Sequence, residues 1–368
     1  MARLGHPRIW APVDALVQMS RPQVLTAPRM WTRLTVLTLA ATTAFAAFAV
    51  GSPGITGSGA VASATTAGAS EGLFLQVSSL TPTYSPSTVG AWMQRVCSGR
   101  DLVLQDIGGS SGVLMTAYLD VVAPYLPGGA HACFRRVFVG TADLTWRGAG
   151  SKYVQGIQDA TFRQQNLATS EALAKAFVTR YPTVQVNWYL TYEADLNHLF
   201  YPSVEQAYAA LFRPEMQALA AVRPHALFLW SPAFWYPYSA YRTNVVGMTQ
   251  LAAMLDTLFS TLRSAGGGVG VLALQDFVAG SSCQPPANRV TPGDAVGWTR
   301  FLIGLHQIPA VEVNVEQYAI NCSTGALGAG SPTEVAARES FYASQGLILG
   351  PAFETRYWMP LHGFPPAG

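Results

Sequence analysis

Two glutamates end segments of alternating polarity and could take part in one reaction. Glu193 ends the segment VQVNWYLTYE, and Glu316 lies in AVEVNVEQYA. In both segments the large apolar residues occupy one parity and the polar residues, including the glutamate, occupy the other, which predicts two strands with one polar face each. Two carboxyl groups brought together could act as a general acid and as a nucleophile or base, the chemistry that cleaves a glycosidic bond.

Eight short segments of strand character recur after residue 71, with helical patterns between them. The predicted strands cover residues 72–77, 101–107, 136–143, 184–193, 226–234, 269–277, 310–319 and 346–354. This alternation predicts an α/β fold, a single-domain (β/α)8 TIM barrel over residues 72–364, with the last helix short or missing. A doubly wound open sheet is the alternative, although no glycine fingerprint follows the first strand. Capping boxes at Ser203 and Ser331 predict two helix starts.

A barrel would bring the two glutamates to the same place. One parity of each barrel strand faces the lumen; Glu193 is the last inward residue of strand four, and Glu316 has the inward parity at the mouth end of strand seven. Barrel enzymes carry their chemistry at the carboxyl ends of the strands. We therefore predict that Glu193 and Glu316 are catalytic. The alternative is that each is a rim carboxylate held in a salt bridge or a helix cap.

Five short motifs follow one another in the order of the predicted strands: LFLQ, WYLTYE, SPAFW, LQDFVAG and VNVEQY. This series resembles a family of uncharacterised, glycosidase-like TIM-barrel proteins, and the architecture resembles the clan of retaining TIM-barrel glycoside hydrolases. The resemblance covers most of residues 72–358. It implies that Glu193 is the general acid/base, that Glu316 is the nucleophile, and that Gln275 and Asp276 lie at the mouth. The clan's asparagine before the strand-four glutamate is replaced here by Tyr192.

Further residues around the predicted mouth could bind a sugar. Aromatic rings stack on the apolar faces of sugars, and the predicted loops after strands three and five are rich in them. The predicted substrate-binding residues are Gln275, Asp276, Asn314, Trp146, Trp235, Tyr236, Tyr318 and Glu354. We expect a glycoside hydrolase, retaining, that acts on a polysaccharide or a cell-surface glycan. A non-catalytic glycan-binding or envelope-scaffold barrel is the alternative.

Four cysteines in an exported chain predict two disulfides, for which three pairings exist. Cys97 and Cys133 precede strands two and three, whereas Cys283 and Cys322 follow strands six and seven. Neighbouring strands are adjacent in a barrel, so the favoured pairing is Cys97–Cys133 and Cys283–Cys322.

The N-terminal part of the chain predicts export. Residues 1–64 combine a basic region with the apolar run 34–50, typical of a signal peptide or a signal anchor, and Ala62-Ser63-Ala64 offers a cleavage site. Residues 65–71 end a flexible linker. We expect an extracytoplasmic protein, secreted or anchored by this segment, which would be its only contact with a membrane if it is not cleaved.

The composition and the motifs limit the classes of partner and cofactor that we expect. Only 11% of the 368 residues are charged, the net charge is +2, and no basic run is interleaved with aromatic residues, so we expect no nucleic-acid partner. The histidines lack metal-ligand spacing, and no phosphate-binding glycine loop occurs, so neither a metal nor a cofactor is predicted. We expect a monomer with a glycan as its substrate.

Overall fold

The computed structural model describes residues 72–81, 83–142 and 156–361. The predicted signal or anchor segment, the linker and Trp146 lie outside these ranges.

Eight parallel strands form the barrel predicted from the sequence. Their bounds are β1 Gly72–Gln76, β2 Asp101–Gln105, β3 Arg136–Gly140, β4 Val186–Leu190, β5 Phe228–Trp230, β6 Val269–Gln275, β7 Ala310–Asn314 and β10 Pro351–Ala352. They pair in the order β10-β1-β2-β3-β4-β5-β6-β7. Parallel bridges between Val313 and Leu349 and between Glu316 and Phe353 join the two ends of the sheet. The (β/α)8 TIM barrel is therefore confirmed.

Helices separate the strands and surround the barrel. They are α1 Pro86–Val96, α2 Thr116–Val122, α3 Ala160–Arg180, α4 Pro202–Val222, α5 Tyr238–Tyr241, α6 Val245–Arg263, α7 Pro292–Gly304, α8 Pro332–Ser344 and α9 Thr355–Leu361. The seven-residue α9 is the short last helix that the sequence predicts. By length and composition α6 could cross a membrane, but its buried leucines pack against the outer side of the barrel.

Of the two predicted helix starts, the one at Ser331 is confirmed and the one at Ser203 is wrong. Ser331 caps α8 by accepting a hydrogen bond from the Glu334 N–H, as predicted. The capping box at Ser203 is wrong, because α4 already begins at Pro202 with Tyr201 as its N-cap residue. Proline suits the first helical position, where its missing N–H costs nothing, and so Ser203 falls inside the first turn.

Side-chain parity separates a small core in the lumen from a larger one under the helices. The lumen is filled by Phe74, Val103, Phe138, Tyr189, Leu229, Val271 and Ala273. On β4, Trp188 and Leu190 lie in the outer core, whereas Tyr189 faces the lumen and meets Phe74 edge to face. The inward parity predicted for β4 is thus confirmed, and it is the parity that Glu193 continues.

The region after β7 differs from the prediction. The predicted strand 310–319 is too long, since β7 ends at Asn314 and the chain then forms an antiparallel hairpin of β8 Tyr318–Ile320 and β9 Leu327–Ala329. The hairpin takes Tyr318 away from the barrel sheet and places it beside Glu316.

Both disulfides join the predicted cysteines. Cys97 follows α1 and bonds to Cys133, which precedes β3, with Cα atoms 5.4 Å apart. Cys283 and Cys322, with Cα atoms 5.2 Å apart, connect the loop after β6 to the hairpin. The second disulfide therefore holds two mouth segments together near Glu316.

Candidate active site

Both predicted catalytic glutamates lie just beyond the carboxyl ends of their strands. Glu193 comes three residues after β4 ends at Leu190, and Glu316 comes two residues after β7 ends at Asn314. Glu193 is partly exposed, whereas only 1% of Glu316 is accessible. The two carboxyl groups belong to the end of the barrel where this fold carries its chemistry.

Amide side chains surround Glu193. Its carboxyl group hydrogen-bonds with Gln275 at the end of β6 and with Gln105 at the end of β2. The Gln275 Nε2 also donates to the Ser231 carbonyl at 2.8 Å, which fixes that side chain. Burial raises the pKa of Glu193 to about 7, against the opposing effect of the two amides. A carboxyl group of this pKa can give up and regain a proton at neutral pH.

Glu316 accepts hydrogen bonds from two donors of different kinds. The Tyr318 hydroxyl donates to its Oε1 at 2.7 Å, and the Gly280 backbone N–H donates to its Oε2 at 2.8 Å. A Cβ atom on residue 280 would lie 2.5 Å from the Phe277 ring, so glycine is what lets this loop approach. Burial and the neighbouring Asp276 raise the pKa of Glu316, while these hydrogen bonds and Arg338 act against the increase.

The partners distinguish the two carboxyl groups chemically. An amide can donate through its nitrogen or accept through its oxygen, so Glu193 keeps partners whether or not it is protonated. The Gln105 Oε1 is buried and has no hydrogen-bond partner within the part of the chain that the structure describes, so it could accept from a protonated Glu193. A backbone N–H can only donate, and the one from Gly280 favours the ionised form of Glu316.

Three of the predicted substrate-binding residues have their contacts within the protein. Asp276 points to the helix side, where it pairs with Arg338. Asn314 donates to the Ser231 hydroxyl at 3.0 Å and accepts from the Phe353 N–H at 3.1 Å.

Glu354 is the third of these residues. It is fully buried, forms an ion pair with Arg356, and accepts a hydrogen bond from the Gln76 N–H. The structure thus places Glu354 in a protein-internal network, and its contact with substrate stays a prediction.

An aromatic wall of Trp235, Phe277 and His198 lies on the mouth segments that follow β5, β6 and β4. The Trp235 and Phe277 rings stack with centroids 5.7 Å apart at 7°, and the His198 ring meets Trp235 edge-on at 6.2 Å. Behind them the buried Asp195 accepts from the Trp235 backbone N–H, and its Oδ2 lies 3.5 Å from the His198 Nδ1. Burial raises the pKa of Asp195 to about 6. Tyr236, 40% exposed, follows Trp235 in the same loop.

The sequence prediction missed several residues of this site. Gln105 carries a signal, because residues 104–106 and 274–276 both spell LQD and bring both glutamines to Glu193. Asp195 follows Glu193 by two residues and shares its parity, so alternation could have found it. Arg338 and Tyr342 carry no such signal, since they reach the site from the outer helix layer.

Comparisons with known proteins support the fold. No family model and no curated protein matches the chain. Among solved structures, one described as a "putative alpha-L-fucosidase" from Bacteroides thetaiotaomicron VPI-5482 is 12% identical with a TM-score of 0.53, covering 82% of this chain and 90% of its own.

Two further solved structures are more distant. An intracellular xylanase from Thermoanaerobacterium saccharolyticum JW/SL-YS485 is 12% identical with a TM-score of 0.43, covering 77% of this chain and 84% of its own. A GH18 chitinase from Pseudoalteromonas aurantia is 11% identical with a TM-score of 0.41, covering 77% and 92%. The fucosidase-like structure shows that this chain shares a TIM-barrel fold, and any activity must be argued from the chain's own site.

Proposed function

We propose that the protein is a retaining glycoside hydrolase in which Glu193 is the general acid/base and Glu316 the nucleophile. The observation that carries the proposal is the contrast between their partners. Glu193 lies among amides that serve both protonation states, and Glu316 receives a phenol and a backbone N–H. Retaining hydrolysis needs one carboxyl group that cycles its proton and one that attacks as a carboxylate.

The first step would use the proton of Glu193. Glu193 gives this proton to the leaving glycosidic oxygen while a Glu316 oxygen bonds to the anomeric carbon, and the bond to the leaving oxygen breaks. In the second step Glu193, now ionised, takes a proton from water, whose oxygen displaces Glu316 from the anomeric carbon. A pKa of about 7 suits Glu193 for both halves of this cycle. Since burial and Asp276 also raise the pKa of Glu316, the mechanism requires the Tyr318 and Gly280 donors to hold the ionised form of Glu316 when substrate is bound.

The aromatic wall of Trp235, Phe277 and His198 supports a sugar as the substrate. The face of a sugar ring is apolar while its edge carries hydroxyls, and Trp235 with His198 would offer an aromatic surface next to a polar ring nitrogen. We infer a polysaccharide or a cell-surface glycan as the substrate class. Two disulfides, typical of oxidising compartments, support a location outside the cytoplasm, either secreted or held by the N-terminal segment.

The proposal is tested with Glu193→Gln and Glu316→Gln, with Glu171→Gln on the exposed face of α3 as the matched control. The probes are 2,4-dinitrophenyl glycosides of glucose, xylose, galactose, mannose, fucose and N-acetylglucosamine in both anomeric forms, and soluble polysaccharides. A dinitrophenolate leaves without a proton, so Glu193→Gln should still release it in a first turnover but should hydrolyse polysaccharides about 100-fold more slowly or worse. Glu316→Gln should lose both reactions, and the control should keep both.

The stereochemistry of the first product decides the mechanism. Proton NMR should show that the sugar is released with the anomeric configuration it had in the substrate. Inversion would reject Glu316 as nucleophile. If the unmodified protein binds polysaccharides in affinity gels and hydrolyses none of the probes, the glycan-binding barrel is the correct function.

A further inference from the structure

A buried ion pair holds the backbone of Glu316 from two sides. The Asp276 Oδ1 accepts a hydrogen bond from the Glu316 N–H at 3.3 Å. Arg338 donates through one nitrogen to the Asp276 Oδ2 and through the other to the Glu316 carbonyl. The Tyr342 hydroxyl adds a hydrogen bond of 3.0 Å to the Asp276 Oδ2. Both polar groups of the Glu316 residue's main chain are thus tied to one charge pair.

The ion pair of Asp276 and Arg338 is buried among apolar side chains, where a charged group costs free energy. Asp276, Arg338 and Tyr342 are each less than a tenth exposed, and Val313, Val315 and Leu349 form the apolar cluster to which Tyr342 belongs. Burying two charges costs several kcal/mol per ion, and apolar side chains often stabilise such a place equally well. A charged pair bound to the main chain of Glu316 therefore suggests a role other than stabilising the fold.

We propose that Asp276 and Arg338 are positioning residues, whose ion pair fixes the main chain of Glu316 and so aims its carboxyl group at the mouth of the barrel. The proposal rests on the proposed function, in which Glu316 is the nucleophile. Tyr342 supports the pair by orienting the Asp276 carboxylate. A nucleophile must be held within a fraction of an ångström of its line of attack, and a shift of about 1 Å can cost a hundredfold in rate.

The same pair controls the charge of Glu316. The groups that face Glu316 are Asp276 after β6, Arg338 on α8, and the Tyr318 hydroxyl and Gly280 N–H from the mouth segments. The negative charge of Asp276 raises the pKa of Glu316, and the positive charge of Arg338 lowers it. Removing one or the other should therefore move the pKa of Glu316 in opposite directions. If the two substitutions acted only by loosening the packing, they would not move the pKa of Glu316 in opposite directions.

The test uses the full chain with carbon-13 in the glutamate carboxyl groups, and Glu316→Gln identifies the Glu316 signal. In Asp276→Asn the pKa of Glu316 should fall, and in Arg338→Met it should rise, each by about 1 or more. Glu171→Gln should leave it unchanged. If both substitutions move the pKa in the same direction, or neither moves it, the proposal is overturned.

Conservative substitutions keep the test decisive if a charge-removing variant does not fold. Arg338→Lys retains the charge but cannot donate in two directions from one plane, so kcat should fall by about a hundredfold with little change in KM. Tyr342→Phe should show the same split with a smaller decrease in kcat. Unchanged kcat in both would overturn the proposal.

The two readouts separate this proposal from the proposed function. Opposite pKa shifts in a protein that hydrolyses no probe would support the role of the Asp276–Arg338 ion pair and reject the hydrolase. Hydrolysis with an unchanged kcat in Arg338→Lys would support the hydrolase and reject the positioning role of the Asp276–Arg338 ion pair.

Discussion

Replacing Glu215 by glutamine should stabilise the folded protein at and above neutral pH. Glu215 lies in α4, is 1% exposed, and has no ion-pair partner within the described ranges. Its carboxyl group accepts from the Ser170 hydroxyl at 2.8 Å and from the Asn166 Nδ2 at 3.4 Å, both on α3. The Thr141 hydroxyl donates to the same carboxyl group at 3.5 Å. Three neutral donors offset only part of the cost of burying a carboxylate.

The size of the effect follows from the pKa. Burial raises the pKa of Glu215 to about 7 from an ordinary 4.5, against the opposing hydrogen bonds from Ser170 and Thr141. The folded state thus binds the proton more tightly than the unfolded state, so the stability contributed by this group is complete below pH 4.5 and is lost as the pH rises through 7. At pH 8 the loss is about 3 kcal/mol.

Glutamine has the same shape and carries no charge. Its oxygen can still accept from Ser170, and its new amide hydrogens face Asn166, whose buried Oδ1 has no hydrogen-bond partner within the ranges described. The free energy of unfolding of Glu215→Gln should therefore exceed that of the unmodified protein by about 3 kcal/mol at pH 8, and the gain should shrink towards pH 4.5.

Urea unfolding followed by tryptophan fluorescence between pH 4.5 and 8.5 measures this difference. Glu171→Gln on α3 is the control, because Glu171 is exposed and pairs with Lys175 one helical turn away. Its effect should stay below about 0.5 kcal/mol. The reasoning is refuted if the gain of Glu215→Gln does not change with pH, or if the variant is less stable than the unmodified protein at pH 8.

Three further predictions concern the mouth. Gly280→Ala should push the loop off Glu316 and lower kcat by about tenfold or more, which steady-state kinetics would show; an unchanged kcat would mean that the Gly280 N–H is dispensable. Trp235→Ala should raise KM for an oligosaccharide about tenfold while sparing a dinitrophenyl glycoside, and an equal effect on both would argue against a binding wall. Replacing both Cys283 and Cys322 by serine should lower the free energy of unfolding by about 3 kcal/mol in urea titrations, since the disulfide closes a separation of 39 residues; a change below 1 kcal/mol would contradict this estimate.

The parts of the structure that depend on local alternation could be predicted from the sequence. The period of two in the segments of Glu193 and Glu316 gave the correct inward parity, and the order of strands and helices gave the barrel. The disulfide pairing followed because successive barrel strands are neighbours.

The parts that depend on distant contacts could not be predicted. Nothing at Val315 shows that β7 has already ended at Asn314, because the polar and apolar residues continue to alternate through Glu316. The hairpin that begins there is held by pairing with residues 327–329 and by a disulfide to Cys283, both remote in the chain. Arg338 sits on a helix whose pattern predicts only an amphipathic surface.

Strand β6 explains how one segment serves both carboxyl groups. Gln275 and Asp276 are consecutive, so their side chains point to opposite sides of the barrel wall. Gln275 reaches Glu193 on the lumen side, and Asp276 reaches the main chain of Glu316 from the helix side. A displacement of this strand end would disturb both glutamates together. In the proposed mechanism the acid and the nucleophile must act in one step, and their common attachment to the end of β6 would hold their relative position fixed.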